Sequence, residues 1–298
     1  MRLCSKLLAV TRDPIWADRL EKTFYNAYLA SMSPNADKFA AYTPLMGYRS
    51  AGHHHCRTHT DCCNANGPRG WLTVLDSTAV VDGGAATLNF YMSGKVSFPL
   101  PACSPDSASF SVYTMYPRDG TVFLRYCGRE AEFSLNLRIP AFSEQTRVKV
   151  NGRVAPGAAQ AGSYFTLTRA WKSGDTVEVA FELPVKMHRL HDHVAFTRGP
   201  ICLARDVRFG DGALDDEVQA GKITEKDLAE FKVVKRPDPS MFMAVAAVLP
   251  TGIHTENPDN GMLPSVVQFT DYASAGNLWR PDCRYRVWLP DLIPGRAY

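Results

Sequence analysis

The sequence of 298 residues lacks a charge excess, a long hydrophobic run and a dense spacing of cysteines. Its 33 basic and 30 acidic side chains give a formal net charge of +3, so electrostatics provide no case for nucleic acid or an anionic membrane surface as the partner. No stretch approaches the length of a membrane-spanning helix. Hydrophobic residues make up 45% and charged residues 21%, which is typical of a folded globular protein.

The N-terminal segment MRLCSKLLAVTRD resembles a signal peptide only superficially. Its apolar run is short, Lys6 interrupts it, and no small-residue cleavage site follows. The pattern indicates an amphipathic helix that begins abruptly, as though the chain were cut upstream. We therefore expect no export signal in this chain, and the cytoplasm and the periplasm both stay open as its location.

Helical patterns come first along the chain. Asp13 can cap a helix that has Pro14 in its first turn, and apolar side chains then recur at every fourth position from Trp16 to Tyr28. A further helix is predicted from about Arg69 to Ser77. These few helices are too small a set to bury their own apolar face. We expect that face to pack on other elements or to mediate self-association.

Strand patterns follow from about Ala79. Short alternating or β-branched runs, among them TVFLRY and AEFSLNLRI, are separated by turn signals and have no helices between them. This spacing indicates an antiparallel β-sandwich. A polar, partly helical stretch covers about residues 209–239, and strand-like runs such as YRVWL return after it.

The predicted class is therefore α+β, with helices first and strands afterwards. The predicted segments are 1–78 with the helices and the cysteine pair, 79–205 as a β-sandwich domain, and 206–298 as a polar connection with C-terminal strands that complete or add to the sandwich.

Seven of the eleven residues from His53 to Cys63 are candidate ligands for a soft metal ion. Zinc prefers thiolate and imidazole ligands, usually four of them, and binding keeps the thiols ionised. The spacing matches no named zinc-finger pattern. A solvated histidine loop, buried or disulfide-linked adjacent cysteines, and a closed structural zinc site therefore compete with a catalytic interpretation. The candidates nearest the end of the cluster are His55, Cys56, His59, Cys62 and Cys63.

The segment TDCCNANGPRG at 60–70 contains the cysteine pair, and FAAYTPLMG at 39–47 precedes it. Taken in order, these segments resemble the β-L-arabinofuranosidase-type glycoside hydrolases of family 127 and relatives, and TDCCNANGPRG is the most specific of them. FTDYASAGN at 269–277 and RYRVWLP at 284–290 resemble the closing strands of those proteins. The resemblance covers nearly the whole chain.

The resemblance implies a catalytic (α/α)6, or six-hairpin, barrel followed by β-sandwich domains, so the helices would be a remnant of that barrel. It implies a retaining glycosidase with a zinc–thiolate site. Cys62 matches the nucleophile, Cys62 and Cys63 match the thiolate ligands of the metal, and Tyr42 matches an aromatic residue that contacts the sugar. A metal-bound thiolate needs no separate base to deprotonate it. The implied substrate is an arabinose-containing plant oligosaccharide or glycoside.

The chain departs from the family pattern before its first helix. The family's other ligands are the Glu and Cys of a Glu-x-Cys motif, and a further upstream Glu is the general acid/base. Cys4 does not replace that motif, because no Glu stands two residues before it, and Glu21 fits the helix pattern, which indicates a structural role. We expect an N-terminally truncated, weakly active or inactive form. Its zinc would be weakly bound or absent, and Cys56, His59 and His55 are candidate substitute ligands.

Two other functions stay open. The chain could be a non-catalytic carbohydrate-binding or accessory β-sandwich module, with Tyr164, Trp171 or Trp279 stacking on sugar rings, although such side chains more often pack in a core. It could also be a structural zinc-binding protein. Turnover of an arabinofuranoside would indicate the glycosidase. Sugar binding without turnover would indicate the accessory module, and zinc retention without a response to sugar would indicate the structural zinc protein.

Overall fold

The structure is a computed structural model that describes residues 1–50, 62–104, 106–251 and 264–292. In these ranges a few helices accompany many strands, most of them antiparallel, so the α+β class is confirmed. Asp13 caps its helix as predicted, by accepting a hydrogen bond from the Ile15 N–H, and Pro14 is the first helical residue. None of the helices described is long and apolar enough to cross a membrane.

Five α-helices and nineteen strands are numbered in chain order over these ranges. The helices are α1 Arg2–Thr11, α2 Pro14–Thr23, α3 Cys62–Asn66, α4 Arg69–Thr78 and α5 Glu225–Ala229, and a π-helical turn at Phe24–Tyr28 follows α2. The strands are β1 Met46–Gly47, β2 Ala79–Asp82, β3 Ala85–Leu88, β4 Gly94–Phe98, β5 Ala108–Thr114, β6 Thr121–Tyr126, β7 Ala131–Ile139, β8 Arg147–Val150, β9 Arg153–Val154, β10 Ser163–Trp171, β11 Thr176–Ala180, β12 Val185–Leu190, β13 His193–Arg198, β14 Ile201–Asp206, β15 Lys232–Val234, β16 Ala244–Pro250, β17 Pro264–Asp271, β18 Tyr285–Arg286 and β19 Leu289–Pro290.

The chain folds into two compact units, and each unit combines two separated stretches. The first unit contains residues 1–24 and 68–183, and the second contains residues 25–67 and 184–298. The predicted boundaries at residues 78 and 205 follow the order of helices and strands along the chain, and they stay a prediction.

Two sheets pack face to face in the first unit. One has the strand order β10-β7-β3-β2 and the other the order β4-β5-β6-β11-β8-β9. Pairing is antiparallel except between β3 and β7. The rings of Phe110 and Tyr126 in the larger sheet contact those of Phe133 and Trp171 in the smaller one, with centroids 5.4–6.3 Å apart. Aromatic side chains therefore fill the space between the sheets.

Helices α1, α2 and α4 belong to the first unit, where α1 packs on α2 and α4, and α4 contacts β2 of the four-stranded sheet. Alternation along β7 buries Leu137 and Ile139 in the core and turns Arg138 to the opposite face. There the fully buried Arg138 guanidinium donates hydrogen bonds to Glu21 Oε1 at 2.7 Å and to the Asp18 carboxylate of α2. Glu21 is thus an internal partner of Arg138, in agreement with the structural role predicted for it.

The second unit contains a nine-stranded sheet. Its main path is β1-β18-β14-β17-β16-β15, and β13 joins β12, β14 and β19. The rings of Phe196, Phe231 and Phe269 lie in its core, with centroids 5.3–5.8 Å apart. The run YRVWL, predicted as one strand, is divided into β18 and β19. It is divided because β18 pairs with β1 and β14, whereas β19 pairs with β13.

Candidate functional site

The cysteine pair begins α3 in the second unit. Cys62 is exposed and Cys63 is partly buried, and both are reduced thiols. The structure therefore has no vicinal disulfide between them. An exposed thiol at the start of a helix is accessible to a metal ion or to a substrate.

The polar residues after the cysteines hold this short helix in place. The Asn66 amide donates to the Cys62 carbonyl at 2.9 Å, and the Gly67 N–H donates to the Cys63 carbonyl at 2.7 Å. Asn64 Oδ1 accepts a hydrogen bond from the Phe39 N–H at 2.6 Å. Asn64 therefore joins α3, the cysteine helix, to residues 39–47, the Tyr42 segment.

Gly67 permits a close approach of the two segments. A Cβ atom at this position would lie 2.4 Å from ring atoms of Phe39, closer than side-chain packing allows. The Tyr28 hydroxyl donates to the Gly67 carbonyl at 2.7 Å, and the Tyr28 and Phe39 ring centroids are 5.8 Å apart. Only glycine fits this contact without displacement of the Phe39 ring.

Two tyrosines, one in the turn after β17 and one in β18, hold the chain just after Tyr42. The Tyr272 hydroxyl donates to the Thr43 and Pro44 carbonyls, at 2.7 and 2.8 Å, and the Tyr285 hydroxyl donates to the Pro44 carbonyl at 2.5 Å. Tyr42 itself is 71% exposed. The anchored backbone thus presents an exposed aromatic ring, which suits contact with a sugar.

The buried Arg49 lies between the same two tyrosines. Its guanidinium carbon is 4.9 Å from the ring centroids of Tyr272 and Tyr285, a cation–π arrangement on both sides. It also donates to the carbonyls of Ala30 at 3.1 Å and Ala273 at 2.8 Å. Arg49 therefore connects the helical turn before the Tyr42 segment with the turn that follows β17.

A buried carboxylate shapes that turn. Asp271 accepts hydrogen bonds from the Ser274 N–H at 2.9 Å and the Met243 N–H at 3.3 Å. Burial raises the pKa of Asp271, although these hydrogen bonds oppose the shift. Burial likewise raises the pKa of Tyr272, whose hydroxyl donates to the Tyr42 segment.

Sequence reasoning singled out the cysteines and Tyr42 but not the side chains that position them. Four of the five missed residues lie inside the segments that carried the family resemblance, and Arg49 lies two residues after one of them, so this location was the available signal. The five are Asn64, Gly67, Arg49, Tyr272 and Tyr285.

Cys62 and Cys63 provide two thiols, half of the four ligands usual for zinc. Over residues 1–50, 62–104, 106–251 and 264–292, no group of three or more His, Cys, Asp or Glu side chains could hold a metal ion. His55, Cys56 and His59 lie outside the described residues. The donor chemistry of the two thiols fits a soft ion, and the complete ligand set stays a prediction.

The three aromatic residues considered as sugar platforms have different environments. Trp171 is fully buried in the aromatic core and its indole N–H donates to the Phe133 carbonyl at 3.1 Å, so it cannot stack on a sugar. Trp279 is partly buried. Tyr164 is also partly buried, and its hydroxyl donates to Asn89 Oδ1 at 2.6 Å.

Two family models match this chain. Residues 1–76 match the β-L-arabinofuranosidase GH127 catalytic domain, and residues 86–183 match the β-L-arabinofuranosidase GH127 middle domain. Together the two models match more than half of the sequence. The chain therefore belongs to the GH127 β-L-arabinofuranosidase family.

Solved structures share the fold. A glycoside hydrolase has a TM-score of 0.75 and 20% identity, with 95% of this chain and 49% of that one covered. Ara127N, a GH127 β-L-arabinofuranosidase from Geobacillus stearothermophilus T6, has a TM-score of 0.73 and 20% identity, with 97% and 48% covered. A GH127 β-arabinofuranosidase has a TM-score of 0.77 and 20% identity, with 97% and 47% covered. The chain thus spans about half the length of these structures. No curated protein sequence matches it.

Proposed function

We propose that this chain carries the cysteine-bearing part of a retaining glycoside hydrolase that acts on β-L-arabinofuranosides. The observation that supports the proposal is the exposed Cys62 at the start of α3, which Asn64 and Gly67 join to the Tyr42 segment in a chain of the GH127 family. In this proposal α1, α2 and α4 belong to an (α/α)6 barrel, and the substrate is an arabinose-containing glycoside.

Each residue has a separate role in the proposed reaction. The Cys62 Sγ attacks the anomeric carbon, so that an S–C bond forms while the C–O bond to the leaving group breaks. Tyr42 contacts the sugar. The leaving oxygen needs a proton from a general acid, and loss of general acid catalysis slows such reactions on the order of 10²–10⁴-fold. We therefore expect hydrolysis to be slow in any preparation in which no group supplies that proton.

Zinc is the metal that we propose for the two thiols. When bound to Cys62 and Cys63, it would keep both sulfurs ionised at neutral pH. His55, Cys56 and His59 are proposed as further ligands. We expect purified protein to bind zinc only weakly, and Cys62→Ser and Cys63→Ser to reduce the bound metal measured by atomic emission. Stoichiometric zinc that survives both substitutions would contradict this assignment.

Hydrolysis of p-nitrophenyl β-L-arabinofuranoside by the purified chain tests the catalytic proposal. We expect Cys62→Ser to abolish the slow release of p-nitrophenol. Cys127→Ser, at another exposed cysteine in the first unit, should leave the rate unchanged. A wild-type chain without turnover would refute catalysis by this chain alone and favour an accessory module. Equal rates for wild type and Cys62→Ser would refute the role of the nucleophile.

A further inference from the structure

A cavity of about 310 Å³ lies in the first unit, bordered by α1, α4 and the face of the four-stranded sheet that carries Arg138. Its volume is at the lower end of the range for small-molecule sites. None of the residues that line it belongs to the cysteine helix or to the Tyr42 segment. The proposed hydrolysis thus uses none of the residues that line this cavity.

Two side-chain amides define the chemistry of the cavity. Asn136 donates one N–H to Thr87 Oγ1 at 3.0 Å, and its carbonyl oxygen accepts from the Thr166 hydroxyl at 2.8 Å. Asn89 donates one N–H to the Ser77 carbonyl at 2.9 Å. A side-chain amide has two N–H groups, and the second one of each asparagine has no partner among the residues described. The partly buried Asn136 amide can therefore donate to a ligand, whereas Asn89, at 1% exposure, forms part of the cavity wall.

The hydroxyls beside these amides are also able to act as acceptors. Tyr164 and Thr166 use their O–H hydrogens toward Asn89 and Asn136, at 2.6 and 2.8 Å, so their oxygen lone pairs face the cavity as acceptors. A ligand whose hydroxyl groups both donate and accept hydrogen bonds matches this combination of an amide donor and hydroxyl acceptors. Leu8 and Val80 provide apolar surface for the C–H groups of the same ligand.

The cavity is held in shape without a ligand. Asn89 is 1% exposed, and its backbone carbonyl accepts from Arg138 Nε at 2.6 Å. Arg138 is itself fixed by Glu21 and Asp18. Preorganised groups lose little conformational freedom on binding, which favours affinity for a small ligand.

The charges that line the cavity favour a neutral ligand over an anion. Arg12 is the one cation among the described lining residues, and it forms an ion pair with Asp82 at 3.1 Å. Asp76 adds an exposed carboxylate, which repels anions and accepts hydroxyl hydrogen bonds. A phosphate group would meet no unpaired positive charge here.

We propose that this cavity is a non-catalytic carbohydrate site for a short neutral saccharide, bound by Asn136, Thr166 and Tyr164. Titration calorimetry of the full chain with L-arabinose and xylobiose tests this, and inorganic phosphate is the charged comparison. We expect saccharide binding by the wild type, and Asn136→Ala to weaken it about fivefold or more through loss of its hydrogen bonds. Phosphate should not bind.

Thr168→Val is the matched control. Thr168 lies two residues beyond Thr166 on β10, on the same face, and bonds Ser134 at 2.7 Å outside the cavity lining. Thr168→Val should bind saccharide like the wild type, whereas Thr166→Val should weaken binding. Cys62→Ser should also leave saccharide binding unchanged, which separates this site from the proposed nucleophile.

Three results would overturn the proposal. The first is that the wild type binds neither saccharide. The second is that it binds phosphate and no saccharide. The third is that Cys62→Ser loses saccharide binding while Asn136→Ala keeps it. The last result would locate the sugar at the cysteine helix. If Asn136→Ala fails to fold, the exposed Thr166 carries the test through Thr166→Val against Thr168→Val.

Discussion

Arg138→Met is expected to destabilise the first unit strongly. The Arg138 side chain is 0% exposed, and it is held by Glu21 at 1% exposure, by Asp18 at 19% and by the Asn89 carbonyl. The substitution leaves the Glu21 carboxylate in the interior without its cation. Removal of one partner from a buried ion pair typically costs about 3–5 kcal/mol, a large fraction of the free energy of unfolding of a domain.

Lys149→Met provides the matched control in the same unit. Lys149 and Glu178 form an ion pair at 2.8 Å, but both side chains are 39% exposed. Water screens this pair, so its loss should cost about 0.2–1 kcal/mol. Urea denaturation followed by tryptophan fluorescence measures both variants. Equal destabilisation by the two substitutions would refute the reasoning, because burial would then make no difference.

The Arg138→Met variant should respond to pH in a defined direction. Burial raises the pKa of Glu21, and the charge of Arg138 opposes this rise. In Arg138→Met the opposition is removed, so the folded state takes up a proton more readily than the unfolded state. The destabilisation of the variant relative to wild type should therefore be smaller at about pH 5 than at about pH 8. A pH-independent difference would contradict this mechanism.

Two further substitutions test other contacts. Gly67→Ala should lower the melting temperature, because its methyl group overlaps the Phe39 ring at a cost of about 1–3 kcal/mol. Gly221→Ala is its control and should be neutral, because no atom lies within 4 Å of the added methyl group. An unchanged melting temperature for Gly67→Ala would refute the contact. Leu72 on α4 is 60% exposed, and Leu72→Gln should reduce the self-association proposed for the helical face, as measured by sedimentation velocity. Leu190→Gln, at a 53% exposed leucine in the second unit, is its control, and equal effects of the two would exclude the helical face as the contact.

The sequence by itself determined most of the local structure. TVFLRY and AEFSLNLRI form strands with the predicted bounds, because alternation of apolar and polar side chains is a local property of a strand. Asp13 and Pro14 define the start of α2 through interactions within one turn. The motif around Cys62 also identified the family. In each case the residues that decide the feature are neighbours along the chain.

Only the tertiary structure showed which distant segments meet. Residues 25–67 form a unit with residues 184–298, and Tyr272 and Tyr285 hold the chain beside Tyr42 from more than two hundred residues away. Glu21 gained its role from Arg138, and Gly67 from the ring of Phe39. These contacts depend on shape and on hydrogen-bond geometry between separate elements, and no periodicity along a single sequence encodes such geometry.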